Sequence, residues 1–515
     1  MTLFDATAGR RQTFYIENLG CAKNQVDAEL MVGTLVASDR VRVDDPSDAD
    51  VIIVNSCGFI EPAIVESVEV ATDFRRRYPR AHLVFTGCMA QRFGDAVAQE
   101  MPELTTVLGN REPAAIASAL DELAGDNAEP NPGATAGRSR VVLPSTPATG
   151  PDGAYDHGRY DPRPEIFSSP GSAYVKVAEG CNNRCAFCAI PQIRGPLRSR
   201  SIASVTKEVA ALLERGIKEI NLVAQDLGAF GTDRGSPEAI ALLESLLSLP
   251  GEFYLRPLYV YPEHFPLKIL ELCKADPRLV CYFDIPMQHG SDRVLKAMGR
   301  RGSFDSYARL VAAIRDTLPE AVVRTSLIVG FPGEEQEDVE ATAHLLETLA
   351  LDWVGVFSYS REEGTPAYDR RPQVPRAIAE KRRRLLEETQ FPLTCSRLDR
   401  QVGTEQWVLL EEKNGDHELY LGRGYGQAPE VDGSIVFHGR PAGHTTAGTS
   451  DAAGHTTAAT SDAAGSPRLG TVGAENDIRV GTVARARIVK RNGIDLEAVE
   501  IGASKTGLQS RATAL

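Results

Sequence analysis

The chain has 515 residues (55.7 kDa), with 56 Lys and Arg against 70 Asp and Glu and a formal charge of −14. That length predicts roughly three domains, and a composition 42% hydrophobic and 24% charged is ordinary for a globular protein. The acidic balance excludes a whole surface built to grip nucleic acid, and no apolar run approaches the ~18 residues that span a bilayer.

The opening MTLFDATAGRRQTF lacks an apolar signal core, so the expectation is a cytoplasmic protein with no membrane partner. Nine cysteines, an odd number without an export signal, favour metal or cluster ligation over a disulfide framework.

The first block, residues 12–126, alternates strand and helix. TFYIENLG, ADVIIVNSCGFI and AHLVFTGCMAQ read as strands, with helices starting near Gln25 and Pro62. That rhythm predicts a doubly wound α/β domain with a mainly parallel sheet. Residues 127–164, rich in Pro, Gly, Ala and Thr, read as a linker.

Residues 165–399 repeat the rhythm six times, with strands beginning near Ala173, Glu219, Tyr254, Cys281, Val322 and Trp353. Six units predict a partial (β/α)6 barrel rather than a closed one of eight. Residues 400–510 carry short strands with Gly-rich turns and predict a small all-β barrel. Within them, at about 441–470, the near-identical units HTTAGTSDAAG and HTTAATSDAAG are too few for a solenoid and read as a disordered insertion.

Two sets of cysteines carry the chemistry. Cys181, Cys185 and Cys188 lie in EGCNNRCAFCAIPQIRG, directly after the first strand of the second block. Three thiolates on one loop can each take one iron of a [4Fe–4S] cubane, leaving the fourth iron open to a small molecule. Structural zinc and coincidental thiols are the competing readings, and no neighbouring Cys or His supplies zinc's fourth ligand.

Cys21, Cys57 and Cys88 each stand where a strand gives way to a helix. In a doubly wound sheet those places gather along one carboxyl edge, the usual ligand crevice. Ordinary buried cysteines are the alternative. At other strand ends, Gln225 and Asp226, Gln288 and Gly330 are candidate cofactor or substrate contacts, or simply helix caps.

The triad, with aromatic Phe187 before its last cysteine, resembles the radical S-adenosylmethionine superfamily. The resemblance implies that the open iron binds S-adenosylmethionine and that an electron cleaves it to a 5′-deoxyadenosyl radical, which abstracts hydrogen from carbon. The whole order of blocks looks like the methylthiotransferase family within that superfamily. It implies a second [4Fe–4S] cluster on Cys21, Cys57 and Cys88 that handles the sulfur, and a C-terminal TRAM domain (OB-like) that binds substrate. Cys273, Cys281 and Cys395 match no family ligand.

The stretches LGCAKNQVDAE, NSCGFIEPA, YSREEGTPAY and GQAPEVDG resemble the protein-modifying branch, which acts on the β-carbon of an aspartate in ribosomal protein S-twelve. The slightly acidic C-terminal block suits a basic ribosomal protein better than RNA. The branch that modifies adenosine in tRNA is the alternative reading, and a non-catalytic iron–sulfur carrier is a further one. The resemblance also implies an electron donor such as flavodoxin or ferredoxin. Arg194, Arg198 and Arg200 are candidates to pair with the substrate carboxylate, because guanidinium binds carboxylate bidentately.

Overall fold

Strand β1 (Thr13–Asn18) lies in the first sheet between the edge strand β2 (Val41–Arg42) and β3 (Val51–Ser56). The sheet continues through β4 (His82–Gly87), β5 (Thr106–Gly109) and β6 (Arg140–Val142), in the order β2-β1-β3-β4-β5-β6, with every neighbouring pair parallel. The computed structural model describes residues 11–125, 140–143, 163–415, 418–439 and 478–501. It forms two units, 1–400 and 401–515.

Helices α1 (Ala22–Ala37), α2 (Glu61–Arg77), α3 (Cys88–Glu100) and α4 (Ala115–Gly125) complete the N-terminal part. Alternate residues of a strand face opposite sides. Accordingly Ile52 and Val54 join Phe74, Phe85 and Met89 on one face of the sheet. Val51 and Ile53 join Phe14, Leu35 and Leu120 on the other. Burial on both faces is why these strands read as unbroken apolar runs. Strand order reverses between β1 and β3, the switch point where such sheets bind ligands at their carboxyl ends. Cys21 and Cys57 follow those two strands.

Three of these strands were not expected. β2 and β5 are short, and β6 falls within the stretch 127–164 read as a linker. The correction has a simple cause: the free edge of β5 needs only a short run of backbone to pair with. Val141 and Val142 then pack on opposite faces of the sheet, against the clusters around Phe74 and Phe14.

The barrel strands are β7 (Ser172–Lys176), β10 (Glu219–Val223), β11 (Tyr254–Pro257), β12 (Tyr282–Asp284), β13 (Val322–Val329) and β14 (Trp353–Ser358). β8 (Ala178–Glu179) and β9 (Arg198–Ser199) form a small antiparallel pair beyond β7. The six barrel strands run parallel in the order β7-β10-β11 and β12-β13-β14, and a bridge between Leu255 and Leu279 continues the curve across the gap. β7 and β14 end the two sheets and do not pair with each other, so this is the expected partial barrel. Its core is apolar, with Val175, Leu222, Leu255, Phe283 and Leu327 fully buried.

The second unit is a closed five-stranded barrel in the order β15-β16-β17-β19-β18. Its strands are β15 (Glu405–Lys413), β16 (Leu419–Arg423), β17 (Ile435–His438), β18 (Val483–Asn492) and β19 (Asp495–Glu500). β17 and β19 pair in parallel and every other pairing is antiparallel. The tandem repeat at 441–470 lies outside the described residues.

Candidate active site

Three turns bring the N-terminal cysteines together. Cys21 caps the start of α1, Cys57 follows β3, and Cys88 is the first residue of α3. Only glycine fits where the turns press on one another. A Cβ on Gly20 would lie 3.0 Å from the Cys57 Cβ, and one on Gly58 would lie 2.5 Å from the Met89 backbone.

Asn24 locks the arrangement. Its Nδ2 donates to the carbonyls of Leu19 (2.8 Å) and Ser56 (3.0 Å), and its Oδ1 accepts from the Cys88 thiol (3.4 Å). Asn110 Nδ2 donates to Cys88 Sγ from the far side at 3.3 Å.

Electrostatics separate the three thiols. Burial pushes Cys88 up to about 12 despite the nearby Arg194 cation, and burial raises Cys57 as well. Desolvation acts the same way on Cys21. There, however, the Lys23 and Arg194 charges and the backbone N–H groups of Asn24 and Lys23 prevail, and its pKa falls below the ordinary thiol value. A thiolate, not a thiol, ligates iron, so cations around this set favour the ligating form.

The barrel triad sits on the loop between β8 and the short helix α5 (Ile190–Arg194). Gly180 has φ +72, and a Cβ there would strike the Pro196 carbonyl, while the Cys181 N–H closes the loop onto Gly195 O at 3.1 Å. Asn183 Nδ2 donates to Asp226 (2.9 Å), and the Ala186 N–H donates to Met298 O (2.8 Å). Burial raises Cys181 to about 11 and Cys188 to about 12. Cys185 Sγ lies 3.5 Å from the Tyr261 hydroxyl and 3.9 Å from an Arg300 nitrogen, and Arg300 stacks over Tyr261 at 4.0 Å.

Among the described residues, no three His, Cys, Asp or Glu side chains could hold a single metal ion. A cubane asks for something different: each thiolate reaches its own iron.

The segments that carry the two triads pack against each other. Cys88 packs on Ala189 and Ile193, just after Cys188. Lys23 Nζ donates to the Ala224 carbonyl at the end of β10 (3.2 Å) and lies over the Tyr259 ring at 4.5 Å. Beneath them is a buried quartet. Asp27 pairs with Lys176 and with Arg194 (3.0 Å), and Glu179 pairs with Lys176 (2.9 Å) and Arg194 (2.8 Å). On the other side, Arg92 of α3 meets Glu362 at 2.6 Å and also donates to the carbonyls of Gly58 (3.1 Å) and Glu363 (2.8 Å).

The remaining sequence candidates fare unevenly. Gln225 stands at the mouth with both amide atoms buried and unpartnered. Asp226 is occupied, holding Asn183, the Tyr261 N–H and His264. Phe187 packs with Val294, Met298 and Phe331 behind the triad. Gln288, at φ +75, joins the end of β12 to β13 through its backbone. Gly330 is needed for packing, since a Cβ there would overlap Ala379.

The arginine expectation is corrected. Arg194 is bound to Asp27 and Glu179, Arg200 to Glu208 and the Lys176 carbonyl, and Arg198 reaches the Arg194 carbonyl. All three are internal ties, because a buried guanidinium needs partners inside the fold. Cys273, Cys281 and Cys395 are buried, the first two in the barrel core. Sequence reasoning missed Lys23, Asn24, Tyr261, Arg300 and the Arg92–Glu362 pair.

Residues 13–109 match the family described as "Uncharacterized protein family UPF0004", residues 175–346 the radical SAM superfamily and residues 402–457 the TRAM domain. The ribosomal protein uS12 methylthiotransferase RimO of Treponema denticola is 36% identical, over 94% of this chain and 99% of that protein. The proteins of the same name from Syntrophotalea carbinolica and Thermotoga maritima are 41% and 38% identical, over 84% and 82% of this chain and 91% and 94% of theirs. Among solved structures, the radical S-adenosylmethionine methyltransferase TsrM from Kitasatospora setae superposes with TM-score 0.52 at 16% identity, over 70% of this chain and 75% of that one, a likeness of fold.

Proposed function

The chain belongs to the ribosomal protein uS12 methylthiotransferase family within the radical S-adenosylmethionine superfamily, and from that premise we propose how it works: it places a methylthio group on the β-carbon of an aspartate in ribosomal protein uS12. The observation that carries this reading is the packing of Cys88 onto the loop that follows Cys188, which sets two cysteine triads side by side at one barrel mouth.

The residues fit the groups the family implies. Cys181, Cys185 and Cys188 would hold one [4Fe–4S] cluster, and Cys21, Cys57 and Cys88 a second. Each set is free of disulfides and exposes its members to one another's charge. Gln225, whose buried amide has neither donor nor acceptor satisfied, would take a polar group of S-adenosylmethionine, because an orphaned buried amide costs stability until paired. When bound, these groups supply the electron, the carbon-centred radical and the sulfur.

The chain's own residues hold the parts in register. Asn183 and Asp226 fix the triad loop, Tyr261 and Arg300 back Cys185, and Asn24 fixes the three N-terminal turns. No general base is required of the protein. Electrons come from a small one-electron carrier of the flavodoxin or ferredoxin kind.

The test is anaerobic reconstitution with iron and sulfide, then incubation with S-adenosylmethionine, reductant, uS12 and unmodified tRNA together. A methylthio increment on uS12 alone supports the reading, and one on tRNA alone overturns it.

A further inference from the structure

Arg194 ends α5, the short helix that follows the barrel's cysteine loop, yet its guanidinium reaches the N-terminal set. Nη2 lies 3.6 Å from Cys88 Sγ and 3.2 Å from Asn24 Oδ1, the oxygen that also takes the Cys88 thiol. The residue is 2% exposed, so water does not screen its charge. Its buried neighbours are Asp27, Glu179 and Lys176, and Lys23 adds a further cation beside Cys21. Two cations therefore face two carboxylates in the quartet, and Arg194 Nη2 is the part of it that reaches a sulfur.

We propose that Arg194 is a positioning residue of the N-terminal iron site, supplied by the barrel. It hydrogen-bonds toward Cys88 and holds the reduction potential of that site above the value the N-terminal domain would set alone. The inference rests on the reading that Cys21, Cys57 and Cys88 hold a [4Fe–4S] cluster. Cluster potentials respond to net charge and to hydrogen bonds on the ligating sulfurs. A cation at Cys88 favours the reduced state, which carries one more electron. Glu179, at the opposite end of the same guanidinium, acts in the other direction.

The experiment uses the full chain with Cys181, Cys185 and Cys188 replaced by Ala, so that iron bound after reconstitution reports the N-terminal set. Iron is counted first, and the midpoint potential is then read by electron paramagnetic resonance during a reductive titration. Arg194→Gln is expected to lower the ratio of reduced to oxidised site at fixed potential about tenfold, ~59 mV for one electron. Arg194→Lys keeps the charge and restores most of the difference. Glu179→Gln shifts the potential upward.

Equal potentials in Arg194→Gln and its parent, or shifts of one sign in both variants, overturn the proposal. Should Arg194→Gln not hold iron, the Lys and Glu179→Gln variants decide it by the same signs. A parent that binds no iron overturns the two-cluster reading itself, and this proposal with it.

Discussion

Replacing Arg92 with Met removes one end of a buried ion pair that joins the Cys57 turn to the loop after β14. The Arg92 and Glu362 side chains are 2% and 7% exposed. Glu362 Oε1 still receives the Glu61 N–H (3.2 Å) and the Ser360 hydroxyl, but Oε2 loses its partner. Stranding one member of such a pair costs about 3–5 kcal/mol, or about two to four powers of ten in the unfolding equilibrium. The double variant Arg92→Met/Glu362→Met leaves no buried charge, so it should cost less than Arg92→Met alone.

The chain has two tryptophans. Trp353 is buried on β14, the strand that leads into Glu362, and Trp407 is on β15 of the other unit. With Trp407→Phe as the background, urea unfolding followed by Trp353 fluorescence reports the first unit. An Arg92→Met cost below about 1 kcal/mol, the range of an exposed pair, would refute the reasoning. So would a double variant no more stable than the single one.

Further outcomes follow from the same structure. Cys57→Ala should halve the reconstituted iron and abolish methylthiolation while leaving reductive cleavage of S-adenosylmethionine, checked by iron count and 5′-deoxyadenosine yield; cleavage lost together with methylthiolation would place Cys57 in the barrel's function instead. Asn24→Leu removes the donor to Leu19 and Ser56 and should cost about 1–3 kcal/mol for the carbonyls left unpaired, with loss of the N-terminal iron, measured by denaturation and iron analysis. His264 is raised above its ordinary 6.5, first by its hydrogen bond to Asp226. Its contribution is therefore complete below that value and is lost as pH rises through the higher folded one. The pH dependence of the Trp353 transition across that interval should flatten in His264→Gln.

The sequence and the structure agree most closely where periodicity is strong. The barrel strands begin at or beside the residues expected, because six apolar runs separated by amphipathic helices have few other ways to pack. The placement of the two cysteine sets just past strand ends was legible, because each set has a fixed relation to the strand before it. What stayed hidden depends on partners distant in the chain. Lys23, Asn24, Gln25, Asp27 and Glu29 are all buried at the start of α1, a polar run that breaks the expected amphipathic pattern. Their partners include Ala224, Arg194, Ser168 and Arg163, none of which any local pattern identifies. Arg194 was misread for the same reason. Its type suggested carboxylate recognition, and it does bind carboxylates, but they are the chain's own Asp27 and Glu179. Strand β6 was hidden by its Pro- and Gly-rich surroundings, since three residues are too few to show alternation.

The most direct test of the central claim is isotopic. The reconstituted protein would be given S-adenosylmethionine, reductant and uS12 carrying deuterium on the β-carbon of its target aspartate, and the 5′-deoxyadenosine formed would be examined by mass spectrometry. Deuterium in 5′-deoxyadenosine, together with a methylthio group on that carbon, is the result this account expects. Methylthiolated uS12 accompanied by 5′-deoxyadenosine without deuterium would contradict it.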